Sequence, residues 1–188
     1  MTNALVKGSL SAIAQQSGKS LAESFIHCDA VVIVDTSGSM QGRDAPGGKS
    51  RYQAAIAELT ALQEAMPGKL AVLSFSSTVE FCPAGVPTFL GGGTDVAGAL
   101  QFARIADVPG MTFFLISDGE PNNEAAALDV ARTFSNKINT IFVGPEQWGQ
   151  AGRDFLRRLA EATGGQSEVA ELTRALGSTV QRLMLTAQ

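Results

Sequence analysis

Apolar residues fall along this chain in two rhythms. Residues 30–34, 70–75, 111–116 and 138–143 are short runs dominated by aliphatic and aromatic side chains, with no regular polar alternation. Such runs read as buried strands of a parallel sheet, where both faces are covered. Between them the spacing changes to three and four. Tyr52, Ile56, Leu59, Leu62 and Met66 share one helical face. So do Val96, Leu100 and Ala103, then Ala127, Leu128, Ala131 and Phe134, then Phe155, Leu156 and Leu159. The first of these helices should run over about residues 50–66 and the second over about 94–106, with Thr94 or Asp95 as its N-cap. Pro67-Gly68, Pro109-Gly110, Gly144-Pro145 and Gly164-Gly165 punctuate the series. Two shorter runs, 78–81 and 167–169, read as edge strands, and Leu172, Leu176, Val180 and Leu183 mark a final helix. Strand and helix alternate, so the expected class is α/β, a doubly wound sheet with helices on both faces.

Residues 1–28 stand before this series. Leu10, Ile13 and Ala14 have helical spacing, as do Leu21 and Phe25, and Ser17-Gly18 separates the two groups. The expectation is an N-terminal helical extension over 1–28 that packs on a domain spanning 29–188, with a partner-docking arm as the other reading. No internal repeat and no linker divides the rest.

Composition narrows the function classes. The chain has 188 residues, 45% hydrophobic and 17% charged, which suits one globular domain with a full-sized core. The formal net charge is −4, without the basic footprint of a nucleic-acid binder. Arg153, Arg157 and Arg158 are the densest basic spot, but Asp154 lies among them, and a solvated helix face is the expectation. Two cysteines, Cys28 and Cys82, cannot make a disulfide scaffold and should be buried thiols. No apolar run reaches the ~18 residues that a membrane span needs. The first residues are too polar for the core of a signal peptide, so a cytoplasmic location is expected.

Candidate chemistry sits where the first strand ends. Residues 30–34 lead into Asp35-Thr36-Ser37-Gly38-Ser39, and ligands of open α/β sheets bind at the carboxyl ends of strands. A carboxylate and two hydroxyls are hard oxygen donors that favour Mg²⁺ or Mn²⁺ over zinc or copper. Two later pieces add to this. Gly91-Gly92-Gly93-Thr94-Asp95 places a hydroxyl behind a glycine loop, and the 111–116 strand runs into Ser117-Asp118-Gly119.

Taken together, these three pieces resemble the von Willebrand factor A (vWA) family. Asp35, Ser37, Ser39, Thr94 and Asp118 match the pattern of its metal-ion-dependent adhesion site over a likeness that spans about residues 29–185. The resemblance implies a six-stranded sheet of order 3-2-1-4-5-6 with only strand 3 antiparallel. It implies direct ligation of Mg²⁺ or Mn²⁺ by Ser37, Ser39 and Thr94. Asp35 and Asp118 would act through water and hydrogen bonds. It also implies a partner protein that presents Asp or Glu to the metal, and a role as an adaptor in a larger intracellular assembly, such as one built around an AAA+ ATPase.

Other readings of the same residues are blander. Asp35 could cap a turn, Asp95 a helix, and Glu120 could be a solvated loop acid. His27 precedes the first strand, at the wrong end of the sheet for this site. Gly47-Gly48-Lys49-Ser50 and Gly18-Lys19-Ser20 end like phosphate-binding loops, yet the required earlier glycine is replaced by Arg43 and Ile13. An Mg²⁺-dependent phosphoryl-transfer enzyme of haloacid-dehalogenase type is the enzymatic alternative. It needs an acid two residues after the nucleophile, where this chain has Ser37. The chain is therefore expected not to be an enzyme. A structural domain with a vestigial metal site is the third reading.

Overall fold

The computed structural model describes residues 5–44, 48–119, 121–143 and 150–169. Among them, six strands form one sheet in the order β3-β2-β1-β4-β5-β6. The strands are β1 (Ala30–Asp35), β2 (Leu70–Phe75), β3 (Val79–Phe81), β4 (Thr112–Ser117), β5 (Ile138–Phe142) and β6 (Ser167–Val169). All pairs are parallel except β2 with β3. This is the architecture that the sequence pattern and the resemblance imply. The last expected helix, with Leu172, Leu176, Val180 and Leu183, lies outside the described residues, as does Glu120.

β1 is the axis of the sheet. Val32 stands in register between Val72 of β2 and Phe114 of β4. Every β1 residue is buried, because its side chains serve two cores alternately. Val31 and Ile33 join Leu73, Phe113, Leu115 and Phe142 on one face, under α4 (Val96–Ala103), α5 (Glu124–Ala131) and α6 (Gln150–Ala162). Ala30, Val32 and Val34 join Val72, Phe114, Ile116 and Ile141 on the other, with Leu59 and Leu62 of α3 (Arg51–Ala65). This two-sided burial is why the strand reads as an unbroken apolar run.

Two details depart from the periodicity. On α3 the fully buried stripe is Ala55, Leu59, Leu62 and Gln63, while Tyr52, Ile56 and Met66 are only half covered. Second, α5 ends at Ala131, and Phe134 lies beyond it, where its ring packs edge-on to Phe113 at 5.0 Å. The chain leaves the helix there, but the aromatic contact is kept.

The N-terminal segment forms α1 (Leu10–Ser17) and α2 (Leu21–Phe25). Ser9 caps α1, Gly18 ends it in the left-handed region at φ 66°, and Ser20 and Glu23 make a reciprocal capping box on α2. The Gly-Lys-Ser tripeptide is thus a helix junction. Leu10 enters the core, and the Gly8 carbonyl accepts the Gly68 N–H at 2.9 Å. The fit is close: a Cβ on Gly8 would lie 1.7 Å from the Gln63 carbonyl oxygen. The Gln63 amide is itself buried and donates to the Gly85 carbonyl at 2.7 Å, so helix, N-terminal segment and the loop after β3 lock together.

Gly8→Ala should therefore destabilise the fold by about 1–3 kcal/mol, as an overpacked core does. Thermal unfolding would register this as a lower Tm, and an unchanged Tm would show that residues 5–17 are not seated on α3. Cys28 gives a second check. Burial first, and Asp29 next, push its thiol up to about 12. Between pH 9 and 12 the folded chain keeps a proton that the unfolded chain has lost, so stability falls as pH rises through that window. Cys28→Ala should show a shallower alkaline decline, and native Cys28 should resist alkylation at pH 8.

Candidate functional site

The sheet order places a topological switch point between β1 and β4. From β1 the chain crosses to β2 on one side, and from β3 it returns to β4 on the other, which leaves a crevice at the carboxyl ends. Asp35 is the last residue of β1 and Asp118 follows the last residue of β4. The loop after β1 opens on a 3-10 turn, Gly38–Gln41, pinned from below by the fully buried Met40.

The five residues picked out by the sequence pattern gather here. Ser37 and Ser39 hold their hydroxyls 3.1 Å apart, and Ser39 Oγ donates to Asp118 Oδ1 at 2.9 Å. Thr94 arrives from the glycine loop. A Cβ on Gly119 would lie 3.6 Å from Ser39 Oγ and 3.9 Å from Thr94 Oγ1, so the missing side chain leaves a small space that both hydroxyls border. Asp35 lies deeper. Its Oδ1 accepts the Ser37 N–H at 2.8 Å and its Oδ2 accepts the Ser117 hydroxyl at 2.5 Å. Asp35, Ser37, Thr94 and Asp118 are buried, and Ser39 is exposed at the mouth.

Glycine conformation makes the approach of Thr94 possible. Gly91 and Gly92 take φ of 68° and 84°, a region that side chains disfavour. In that shape the Gly91 N–H donates to the Thr36 carbonyl at 2.9 Å, and the Gly92 carbonyl accepts the Gly38 N–H at 3.1 Å. From the other side, Asn122 binds Thr94 twice: its Oδ1 accepts the Thr94 N–H at 3.0 Å, and its N–H donates to the Thr94 carbonyl at 2.9 Å. Three loops are thus stitched around one spot.

Burial pushes the Asp35 carboxyl above its ordinary value. The Ser117 and Ser37 hydrogen bonds pull it back, and the nearby Asp118 charge pushes it up again. The donor set is oxygen only. Among the described residues no three His, Cys, Asp or Glu side chains converge on a metal site, so a cation here would depend on hydroxyls. Hydroxyls and carboxylates around a small space fit a hard divalent cation such as Mg²⁺ or Mn²⁺, with water completing its shell.

Arg51, Asp44, Ser117 and Asn122 were not among the residues singled out in the sequence. Arg51, the first residue of α3, donates from Nη1 to Asp118 Oδ2 at 2.5 Å and from Nε to Asp44 Oδ1 at 2.9 Å. The Arg51 hydrogen bond holds the Asp44 carboxyl below its ordinary value. A charged residue opening the helix that follows the Asp35–Ser39 loop was the one available signal for Arg51.

The remaining candidates have structural roles. Asp95 caps α4 by accepting the Gly98 N–H at 3.0 Å. Ser50 caps α3, so the second Gly-Lys-Ser run is again a helix start. Cys82 is buried beside Ser74, its sulfur 3.3 Å from the hydroxyl. His27 is exposed before β1. Arg157 pairs with Glu161 and Arg158 with Glu124, as on a solvated helix face.

Comparison with solved structures places the architecture. A von Willebrand factor type A structure from Catenulispora acidiphila superposes with a TM-score of 0.56 at 20% identity, over 84% of this chain and 41% of that one. The fold is that of a vWA domain. A serine-substituted form of an aerotolerance-related membrane protein from Bacteroides fragilis matches with a TM-score of 0.65 at 15% identity, over 84% of this chain and 98% of that one. The manganese-loaded TRAP protein of Plasmodium vivax matches with a TM-score of 0.57 at 17% identity, over 85% of this chain and 74% of that one. No family model matches this sequence. No curated protein matches it either. No helix among the described residues is long and apolar enough to cross a membrane.

Asp35→Asn keeps the side-chain shape and removes a charge that burial penalises. In the metal-free protein at neutral pH it should raise the Tm if relief of that charge outweighs the acceptor lost where the amide NH2 replaces one oxygen facing Ser37 or Ser117. A Tm that stays level or drops would show that the Ser37 and Ser117 hydrogen bonds already offset the charge.

Proposed function

We propose that this vWA-fold domain is a metal-ion-dependent protein interaction module. Its working site is the cluster of Asp35, Ser37, Ser39, Thr94 and Asp118, and its ligand is an Asp or Glu side chain on a partner protein. The observation that carries the reading is the chain of contacts from Ser37 to Ser39 to Asp118, with Thr94 beside it, at the switch point. Ser37, Ser39 and Thr94 are the groups that would hold Mg²⁺ or Mn²⁺ directly, and Asp35 and Asp118 would orient them. A cation held mainly by neutral hydroxyls keeps much of its charge, and so supplies a receptor for an incoming carboxylate. The manganese in the TRAP protein supports the choice of cation. On this reading the chain is not an enzyme. It acts in the cytoplasm as an adaptor in a larger complex, such as one organised by an AAA+ ATPase.

The phosphoryl-transfer alternative fares poorly on geometry. A nucleophilic Asp35 would need a free carboxylate oxygen, yet both its oxygens accept hydrogen bonds and the residue is fully buried. Ser37 stands where the acid/base would be.

The test is a pull-down from native cell lysate with the full chain, once in Mg²⁺ and once in EDTA, beside Asp118→Ala. The expected result is a partner retained in Mg²⁺, released by EDTA and absent from the variant. Retention in EDTA would place the working surface elsewhere, with residues 1–28 the first place to look, and would leave the metal site vestigial. Turnover of small phosphoesters in Mg²⁺ would favour the enzyme.

A further inference from the structure

The Asp118 carboxylate already has a cation. Its side chain is fully buried, one oxygen accepts from Ser39, and the other accepts from Arg51 Nη1 at 2.5 Å. Asp35, the second buried carboxylate, stands close enough for the Asp118 charge to act on it. Among the described residues, Arg51 is the positive group paired with this cluster. The far edge of the guanidinium is held by Asp44, which accepts from Nε at 2.9 and 3.2 Å and from Nη2 at 2.5 Å. Gly42 presses on its flat side, where a Cβ would lie 3.1 Å from Arg51 Cζ. The Arg51 N–H also donates to the Gly42 carbonyl at 3.0 Å. The guanidinium thus bridges a buried carboxylate of the site and the exposed loop at its rim.

We propose that Arg51 is a tethered counter-cation that competes with the divalent metal for Asp118. The inference rests on the metal-dependent reading of the site. A guanidinium and a divalent cation repel, and both would draw on the charge of one carboxylate, the cation through Ser39 on Oδ1 and Arg51 on Oδ2. Metal entry therefore displaces Arg51 from Asp118. Residues 42–44 move with it, because Asp44 and Gly42 hold the other side of the same group. Two consequences follow from that linkage. Without metal, the buried Asp118 charge is paired by Arg51. Metal occupancy is also reported to the rim loop, which a partner would meet.

The test titrates Mn²⁺ into the full chain, with free Mn²⁺ read by electron paramagnetic resonance, for the wild type, Arg51→Gln and Arg51→Lys. Competition predicts that Arg51→Gln binds Mn²⁺ about tenfold more tightly or better, while Arg51→Lys, which keeps the charge, stays near the wild type. Hydrogen exchange on the wild type gives an independent readout. Mn²⁺ should speed exchange at the amides of Gly42 and Arg43, and this measurement decides alone if a variant fails to fold. Equal or weaker Mn²⁺ binding by folded Arg51→Gln, with exchange in the loop unchanged by metal, would mean that Arg51 only anchors α3, and the proposed function would stand without the latch. Absence of Mn²⁺ binding by all three chains, with acetate supplied as the missing carboxylate, would overturn both.

Discussion

Asp35 ends the central strand with an ionisable group where water does not reach, and this constraint shapes everything around it. A buried carboxylate is tolerated only if each oxygen finds a donor. One donor is local, the Ser37 N–H two residues on. The other, Ser117 Oγ, belongs to the neighbouring strand. The second bond fixes β1 and β4 relative to each other at their carboxyl ends, which is where the switch point opens. Asp118, one residue past Ser117, is thereby brought beside Ser39. The site is a consequence of how the sheet satisfies one buried charge.

The surrounding loops are held by contacts of a different kind. Gly91 and Gly92 bring the chain to Thr36 and Gly38 through backbone hydrogen bonds, and Asn122 binds Thr94 from the opposite side. None of these contacts relies on apolar burial. The hydroxyl of Thr94 is therefore positioned by a polar network that is nearly complete without a cation. The approach of the glycine loop to the cluster is thus fixed before any ligand arrives. The bridge from Asp118 through Arg51 to Asp44 is the part of the network that a cation would contest, because it is the one held by opposite charge.

At the other end of the sheet the forces are steric and apolar. Residues 5–17 sit against α3 so closely that Gly8 has no room for a side chain. Gln63 ties the same region to the loop after β3. The candidate site lies at the opposite, carboxyl end, where exposed Ser39 marks the mouth. The sheet architecture is that of the vWA structures, whose identities of 11–20% show the fold alone.

The strands were legible because burial on both faces forces a run of apolar residues, and such a run needs no knowledge of the partner strand. Residues 70–75 were readable to the residue for that reason. Asp35, Ser37, Ser39, Thr94 and Asp118 were legible as a set because each follows a strand end or a glycine loop in a recognisable order. Helix faces were less so: Gln63 is buried and Ile56 half-covered, since a helix's orientation depends on what it lies against. The individual partners across the loops were not legible. Arg51 reaches Asp118 across 67 positions, Ser117 reaches Asp35 across 82, and Asn122 reaches Thr94 across 28. Periodicity records which way a residue faces within its own element. Which loops meet is decided by strand order and crossover, and that information exists only once the sheet has closed around β1.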